Sequence, residues 1–444
     1  MKRVVVFALL LLTWSTLGWA QAAPSTASNG SWKDLGSLGA GSIGYAVSAK
    51  GEVVTGISAT QGGIGGAYDR GFRWTAAGGL QDIDLVPGDG VTVRPYGISA
   101  DANTIVGWYA HYPECNPNCA FSWEGGVFDI LGPVPGGWYG PTATGVSKDG
   151  SVVVGWTQQL YGGPNHSFRW TSGGGFVDIG PLPGGTASQA FAVSADGTVI
   201  VGASTAADGN THAYRWSKGS FTDLGFFNGG NYSEARGAST NGSVVVGSAS
   251  TQGAYYPLAF RWTKASGKVS LGLLPGKWYA IANGVSADGK TVVGYAAQNC
   301  CDWVAFRWTH ATGMQSLNDW LEAVGVDASN VSFYSAYGVS ANGNGVVGQL
   351  TNGNAYLALV KANKTGTPTS SPKPGIYQGS VTVTLNHTSQ AASMYYTTDG
   401  TVPTKNSPPY VGPIQVTVST TIKAIAIVPG YPQSAVATGK YTIK

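Results

Sequence analysis

The sequence predicts an all-β chain: a seven-bladed β-propeller closed by its own N-terminal strand, followed by a small β-sandwich. Three observations carry this reading. First, 67 glycines and 22 prolines take one position in five of the 444, while charged residues make up only 11%, against about 25% in an average globular chain. Long helices favour Ala, Leu, Glu and Lys, so this composition excludes a coiled coil or helical bundle. A 43% hydrophobic content with 15 Trp and 22 Tyr excludes disorder. Second, a pattern of the form Val-Ser-Ala-Asp-Gly-x-x-Val-Val-Gly recurs seven times. Third, the composition shifts after residue 360, where the repeats stop.

At the N-terminus, Lys2 and Arg3 precede an apolar run over 4–12, and Ala20-Gln21-Ala22 supplies a small-x-small pattern. Residues 1–22 read as a secretory signal peptide and 23–31 as a short N-terminal linker; the apolar run is too short to span a bilayer. A secreted, extracellular protein is expected, with the periplasm or the cell surface as alternatives, and no membrane span is expected. Once Lys2 and Arg3 are removed, the formal charge of +3 falls to +1. A near-neutral chain has no electrostatic footprint for nucleic acid, so no nucleic-acid partner is expected.

The repeat occupies 32–360. Its first pattern stands at 47–56, 98–107, 146–155, 193–202, 238–247, 285–294 and 339–348. A second, Ala-Phe-Arg-Trp, ends at Trp74, Trp123, Trp170, Trp216, Trp262 and Trp308, with a degenerate seventh copy at 355–358. A third, Asp-Leu-Gly, appears at 34–36, 82–85, 129–132, 178–180, 223–225, 269–272 and, eroded, at 315–317. Successive tryptophans are 49, 47, 46, 46 and 46 residues apart. Each unit supplies four short β-like runs, and the Asp-Gly, Asn-Gly and Lys-Gly pairs between the first two are hairpin turns. Four strands every 46 residues match a propeller blade.

The residue before each Val-Ser is Ala46, Gly97, Gly145, Ala192, Gly237, Gly284 or Gly338. Only small residues fit where seven strands crowd an axis, which places this run innermost and Asp-Leu-Gly outermost. The chain then begins with a lone outermost run at 32–38 and ends its repeats at 355–360 without one, so the N-terminal strand completes the last blade. The opposite phase pairs 32–38 within the first blade and removes this closure. Period-two alternation along the third run puts Phe and Trp on one face as inter-blade packing. Arg73, Arg169, Arg215, Arg261 and Arg307 fall on the other, where each is expected to pair with the aspartate of the neighbouring fourth strand.

Residues 361–373 are rich in Thr, Ser, Pro and Lys and read as a linker. Residues 374–444 carry alternating runs at 380–385, 393–397, 414–418, 421–428 and 435–443, which suit a small sandwich.

Two resemblances follow from these residues. His212-Ala213-Tyr214-Arg215-Trp216 and His166-Ser167-Phe168-Arg169-Trp170, with the loop Leu182-Pro183-Gly184-Gly185, resemble the bacterial extracellular HAF repeats, named for a His-Ala-Phe signature. The resemblance covers 32–360 and departs from the pattern at Ser122, Leu357 and Ala358. It implies a secreted repeat protein. The tail resembles the chitobiase/β-hexosaminidase C-terminal module, through Pro374-Gly375-x-Tyr377, the run 381–385, Tyr395-Tyr396-Thr397-Thr398-Asp399-Gly400-Thr401-x-Pro403-Thr404, Tyr410-x-Gly412-Pro413-Ile414, the run 420–426 and Gly430-Tyr431. That module implies an Ig-like or fibronectin-like, non-catalytic accessory domain in an extracellular polysaccharide context.

Catalytic signals are sparse. Glutamate occurs five times, as Glu52, Glu114, Glu124, Glu234 and Glu322, and most aspartates belong to the repeat. A glycosidase needs two carboxylates about 5–10 Å apart, and no such pair can be placed from the sequence. No catalytic residue is assigned. The five histidines lack metal-ligand spacing, and no phosphate-binding loop or nucleophile elbow occurs, so no metal and no cofactor is expected. Cys115 and Cys119 frame Asn116-Pro117-Asn118, a tight turn that a disulfide would close in an exported chain. Cys300 and Cys301 are adjacent, a strained geometry for a vicinal bridge.

With the Val-Ser run innermost, the longer second-to-third loops and the crossovers between blades share one face. That face is expected to collect Trp108, Tyr109, Trp138, Tyr139, Trp156, Tyr232, Trp278, Tyr279 and Trp303, a candidate ligand-binding surface, since loops on a rigid scaffold carry function and aromatic rings stack on sugars or anchor proteins. The leading reading is a monomeric, secreted, non-catalytic propeller that binds a polysaccharide, a cell-surface glycan or an extracellular protein. The alternatives are a polysaccharide-active hydrolase or lyase with its active site over the central channel, and a purely structural surface protein.

Overall fold

The computed structural model describes residues 30–444 apart from 61–68, 84–90, 112–114, 133–137, 160–162, 252–255, 300–301, 361–364, 388, 390–391 and 429–432. The expected signal peptide, residues 23–29 of the N-terminal linker and Cys300 and Cys301 lie outside the described residues.

Seven antiparallel four-stranded sheets form the blades. Six are contiguous, at residues 42–82, 92–130, 138–178, 188–225, 233–270 and 279–316, and in each the chain runs from first to fourth strand. The seventh is composite: Phe333–Val339, Gly345–Leu350 and Ala355–Val360 are followed in space by Gly30–Gly36. Trp32 stands opposite Ala358, and Asp34 opposite Tyr356. The N-terminal strand thus completes the last blade, two residues earlier than the run 32–38 suggests. Asp34 Oδ2 accepts from Asn352 Nδ2 (2.9 Å) and Asn354 Nδ2 (3.1 Å), tying the chain's start to its last hairpin.

The first strands neighbour one another around the whole ring, and this explains the small residues before Val-Ser. A Cβ on Gly145 would stand 3.2 Å from Ala192 Cα in the next blade, and one on Gly338 2.9 Å from the Tyr45 carbonyl oxygen. Each first hairpin is held by its serine: Ser147 Oγ donates to Asp149 (2.7 Å) and accepts from Val152 N–H (3.0 Å). One residue past the serine, or two in the fourth blade, backbone N–H groups donate from blade to blade. Ala49 donates to Ala100, Ala100 to Lys148, Lys148 to Ala195, Asp196 to Thr240, Thr240 to Ala287, Ala287 to Ala341, and Ala341 back to Ala49, over 2.9–3.1 Å. A circle of backbone bonds therefore closes the hairpin face.

The aromatic residue two before each repeat tryptophan, and its counterpart in the seventh blade, is buried between sheets: Phe72, Phe121, Phe168, Tyr214, Phe260, Phe306 and Tyr356 are at most 1% exposed. Each such side chain contributes about 1.5–3 kcal/mol through burial. The arginines of the opposite face do not pair with fourth-strand aspartates as expected. Arg215 and Arg261 Nε donate to the carbonyls of Gly242 (2.9 Å) and Gly289 (3.1 Å), hairpin glycines of the next blade. The aspartates stay at the surface and bond their own chain instead: Asp178 and Asp223 each accept from the N–H two residues on, at 2.7 Å. One helix, Leu317–Ala323, departs from the all-β expectation. It starts at the eroded third motif, where Ser316 caps Asp319 N–H (3.0 Å), and buries Trp320 and Leu321 in the seventh-blade core.

The tail pairs two sheets, one ordered Thr369–Ser371, Val381–Asn386, Ile414–Val416, the other Gly375–Tyr377, Ala437–Ile443, Thr420–Ile427, Ser393–Thr397. Val383, Leu385, Ile422, Ala424 and Tyr441 fill the space between. The expected linker 361–373 is shorter than its composition suggests. Residues 369–371 pair with 384–386, and Tyr441 Oη bonds Ser370 Oγ (2.8 Å), so this polar run belongs to the sandwich. Among the described residues no helix is long and apolar enough to cross a membrane.

Candidate functional site

The pairing of first with second strand skips one residue at the same place in every blade. The skipped residues are Tyr45, Tyr96, Thr144, Phe191, Arg236, Asn283 and Tyr337. A bulge bends a strand and re-aims the side chain at the extra residue. Here all seven side chains turn to the axis, where they line a cavity of about 510 Å³ together with Trp108 and Trp156 of the second strands. The same bulge explains the glycine inside each second strand. A Cβ on Gly202 would stand 1.9 Å from the Gln189 carbonyl oxygen, just ahead of the bulge.

One half of the cavity is aromatic. Tyr45 lies 5.2 Å from Tyr96 and 5.3 Å from Tyr337, centroid to centroid. Burial, and then the neighbouring Tyr96 and Tyr337, push the Tyr45 phenol above its ordinary range, so it stays a neutral hydroxyl. Trp108 Nε1 reaches Tyr96 Oη at 3.3 Å, and the Arg94 guanidinium lies over the Trp108 ring at 5.2 Å. Arg94 is itself held by the fully buried Asp69 at 2.6 Å.

The other half is polar. Arg236 Nε donates to Glu234 Oε1 at 2.6 Å. Glu234 also accepts from Tyr232 Oη (2.9 Å) and Ser248 Oγ (3.2 Å). Burial works against the Arg236 charge, but the Glu234 carboxylate together with Tyr295 and Tyr232 more than offsets it, and the guanidinium sits above its ordinary value. Asn283 Nδ2 donates to Ala336 O (2.8 Å) and Thr144 Oγ1 to Ala190 O (2.8 Å), so both side chains bridge to the next blade while facing the cavity.

The nine aromatic candidates divide. Trp108 and Trp156 line the cavity, and Tyr232 touches it through Glu234. Tyr279 and Trp303 belong to a ladder that crosses the blades: Tyr256 stacks on Tyr279 at 5.3 Å, Tyr295 on Trp303 at 4.0 Å, and Trp303 on Tyr334 at 5.1 Å. Trp278 stands 56% exposed beside Tyr256. Trp138 packs on His166, which bonds Asp178 at 2.9 Å. Tyr109 is a correction: it is 5% exposed and packs against Phe128 in the blade core. It follows Trp108 on one strand, so period-two alternation sends it to the opposite side of the sheet. The side chain of Tyr139 lies outside the described residues.

The expected turn at Asn116-Pro117-Asn118 is also corrected: Cys115–Glu124 is one strand, with Cys115 opposite His111 and Cys119 opposite Tyr109. Cys119 is disulfide-bonded, while the side chain of Cys115 lies outside the described residues.

Sequence reasoning missed the seven bulge residues. Their signal is visible in retrospect: a single changing residue inside a frame of small residues that ends in Val-Ser or a close variant.

Residues 372–438 match the family model of the chitobiase/beta-hexosaminidase C-terminal domain, so the tail has the character expected of it. None of the curated proteins matches the chain. Solved structures similar to it include an oligogalacturonate lyase in complex with manganese, at 10% identity over 76% of this chain and 94% of that one, with a TM-score of 0.49. The oligogalacturonate lyase of Vibrio parahaemolyticus aligns at 11% identity over 74% and 93%, with a TM-score of 0.47. TolB of Acinetobacter baumannii aligns at 16% identity and a TM-score of 0.38, and this chain spans 61% of its length and 61% of its own.

Proposed function

We propose that the protein is a secreted, non-catalytic scaffold that binds a carbohydrate chain at the mouth of its propeller channel. The observation that carries this reading is the cavity lining: seven bulge side chains of five kinds, three of them tyrosine, joined by Trp108 and Trp156. Rings stack against the apolar face of a sugar, and the tyrosine hydroxyls, Thr144, Asn283 and Arg236 suit its hydroxyl groups. No carboxylate is among the described residues that line the cavity. Asp69 and Glu234 stand behind it, each 2.6 Å from an arginine, whereas hydrolysis needs one carboxyl group as acid and a second as base or nucleophile. The chitobiase-like tail supports a polysaccharide setting, and the N-terminal segment supports export.

The test is a glycan array followed by affinity measurement on the best ligand. Trp108→Ala/Trp156→Ala is expected to weaken binding about tenfold or more, with Trp278→Ala losing much less. Unchanged affinity in the double variant, or shortened chains after long incubation with the wild type, would overturn the proposal.

A further inference from the structure

We infer that the ligand is an uncharged glycan and that Glu234 is the residue that keeps acidic chains out; this rests on the carbohydrate reading above. Among the described residues lining the cavity, Arg236 is the one with a formal charge. That charge is already matched. Glu234 is 5% exposed and its two oxygens accept from Arg236 Nε, Tyr232 Oη and Ser248 Oγ. Charge-assisted bonds of this kind are the strong ones, so the carboxylate is fixed in place beside the guanidinium.

A uronic acid approaching Arg236 would have to share the guanidinium with Glu234. It would also bring a second carboxylate close to the first, inside a cavity where water screens poorly. The second arginine offers no relief. Arg94 lies behind the Trp108 ring and is matched by the buried Asp69 at 2.6 Å. The rest of the lining carries no formal charge: rings, small aliphatic residues, two threonines and one amide, with the Tyr45 and Tyr337 hydroxyls kept protonated by burial. A neutral sugar meets every one of these groups without an unpaired charge. The Arg236 side chain is 37% exposed and its Nε and Nη1 bond Glu234 and Asn283, which leaves its Nη2 edge for a sugar hydroxyl. Glu234 acts here as a positioning residue, through Arg236.

The test compares chitohexaose, cellohexaose and mannohexaose with hexagalacturonate, on wild type and Glu234→Gln, at low and high salt. The wild type is expected to bind at least one neutral chain, with little salt dependence, and hexagalacturonate about tenfold more weakly or worse. Glu234→Gln unmasks Arg236 and is expected to raise hexagalacturonate affinity about tenfold, in a salt-sensitive manner, while the neutral ligand stays within about threefold. Hexagalacturonate binding the wild type as tightly as the neutral chains overturns this inference and leaves the carbohydrate reading standing; so does a folded Glu234→Gln with unchanged selectivity. Should Glu234→Gln fail to fold, the wild-type ranking decides. Binding of none of the four overturns both.

Discussion

The hairpin ends of the seven blades and their channel-facing bulges lie on the same strands, a few residues apart, and behave in opposite ways. At the hairpins the residues are nearly repeated: the serine is present in every blade, and the circle of backbone bonds runs through all of them. At the bulges the side chains change from Tyr to Thr, Phe, Arg and Asn. Repetition follows where a residue holds the ring together, because each blade faces the same neighbour. Variety follows where side chains meet at one axis and line one cavity.

The sharpest way to break the comparison is in the repeated frame. Gly202→Val would drive a side chain into the Gln189 carbonyl, 1.9 Å from the Cβ position, and is expected to cost about 3 kcal/mol or more, read by denaturant unfolding. Ser194→Ala removes one bond to Asp196 (2.5 Å) and one from Val199 N–H (3.0 Å), and is expected to cost about 1–2 kcal/mol.

Acid should weaken the same hairpins. Ser147 first, then Ser151, hold the Asp149 carboxyl down to about 2. A carboxylate whose folded value lies below its unfolded value of about 3.9 stabilises fully above the latter, and the gain is lost as pH falls through the folded value. Thermal melts are therefore expected to hold steady above about pH 5 on this account and decline between about pH 4 and 2. The smallest effect belongs to the channel: Phe191→Tyr is expected to shift stability by about 0.5 kcal/mol or less while altering ligand affinity, which calorimetry on the same sample separates.

Much of the frame was legible because it repeats. The serine hairpins, the small residues at the axis and the unpaired first run at the N-terminus sufficed to place the closing strand in the last blade. The site was less legible, because register is not written in sequence. Ala190-Phe191-Ala192 taken alone does not announce that Phe191 is skipped by the pairing; only the seven copies side by side mark the changing position, and the skip turns it to the channel. Trp108 and Tyr109 read alike as loop aromatics, and only their alternation on one strand separates the cavity from the core. The arginines were misassigned for a related reason: their acceptors, the Gly242 and Gly289 carbonyls, are backbone atoms that no residue identity reveals. The helix Leu317–Ala323 is too short to show a period and was visible only as an eroded third motif.

The most direct test of the central claim is a crystal structure of the protein with a bound neutral hexasaccharide. Sugar rings seated in the channel mouth against Trp108 and Trp156, with a hydroxyl on Arg236, are the predicted result. Sugar found only at the exposed rim beside Trp278, or only on the C-terminal sandwich, would contradict it.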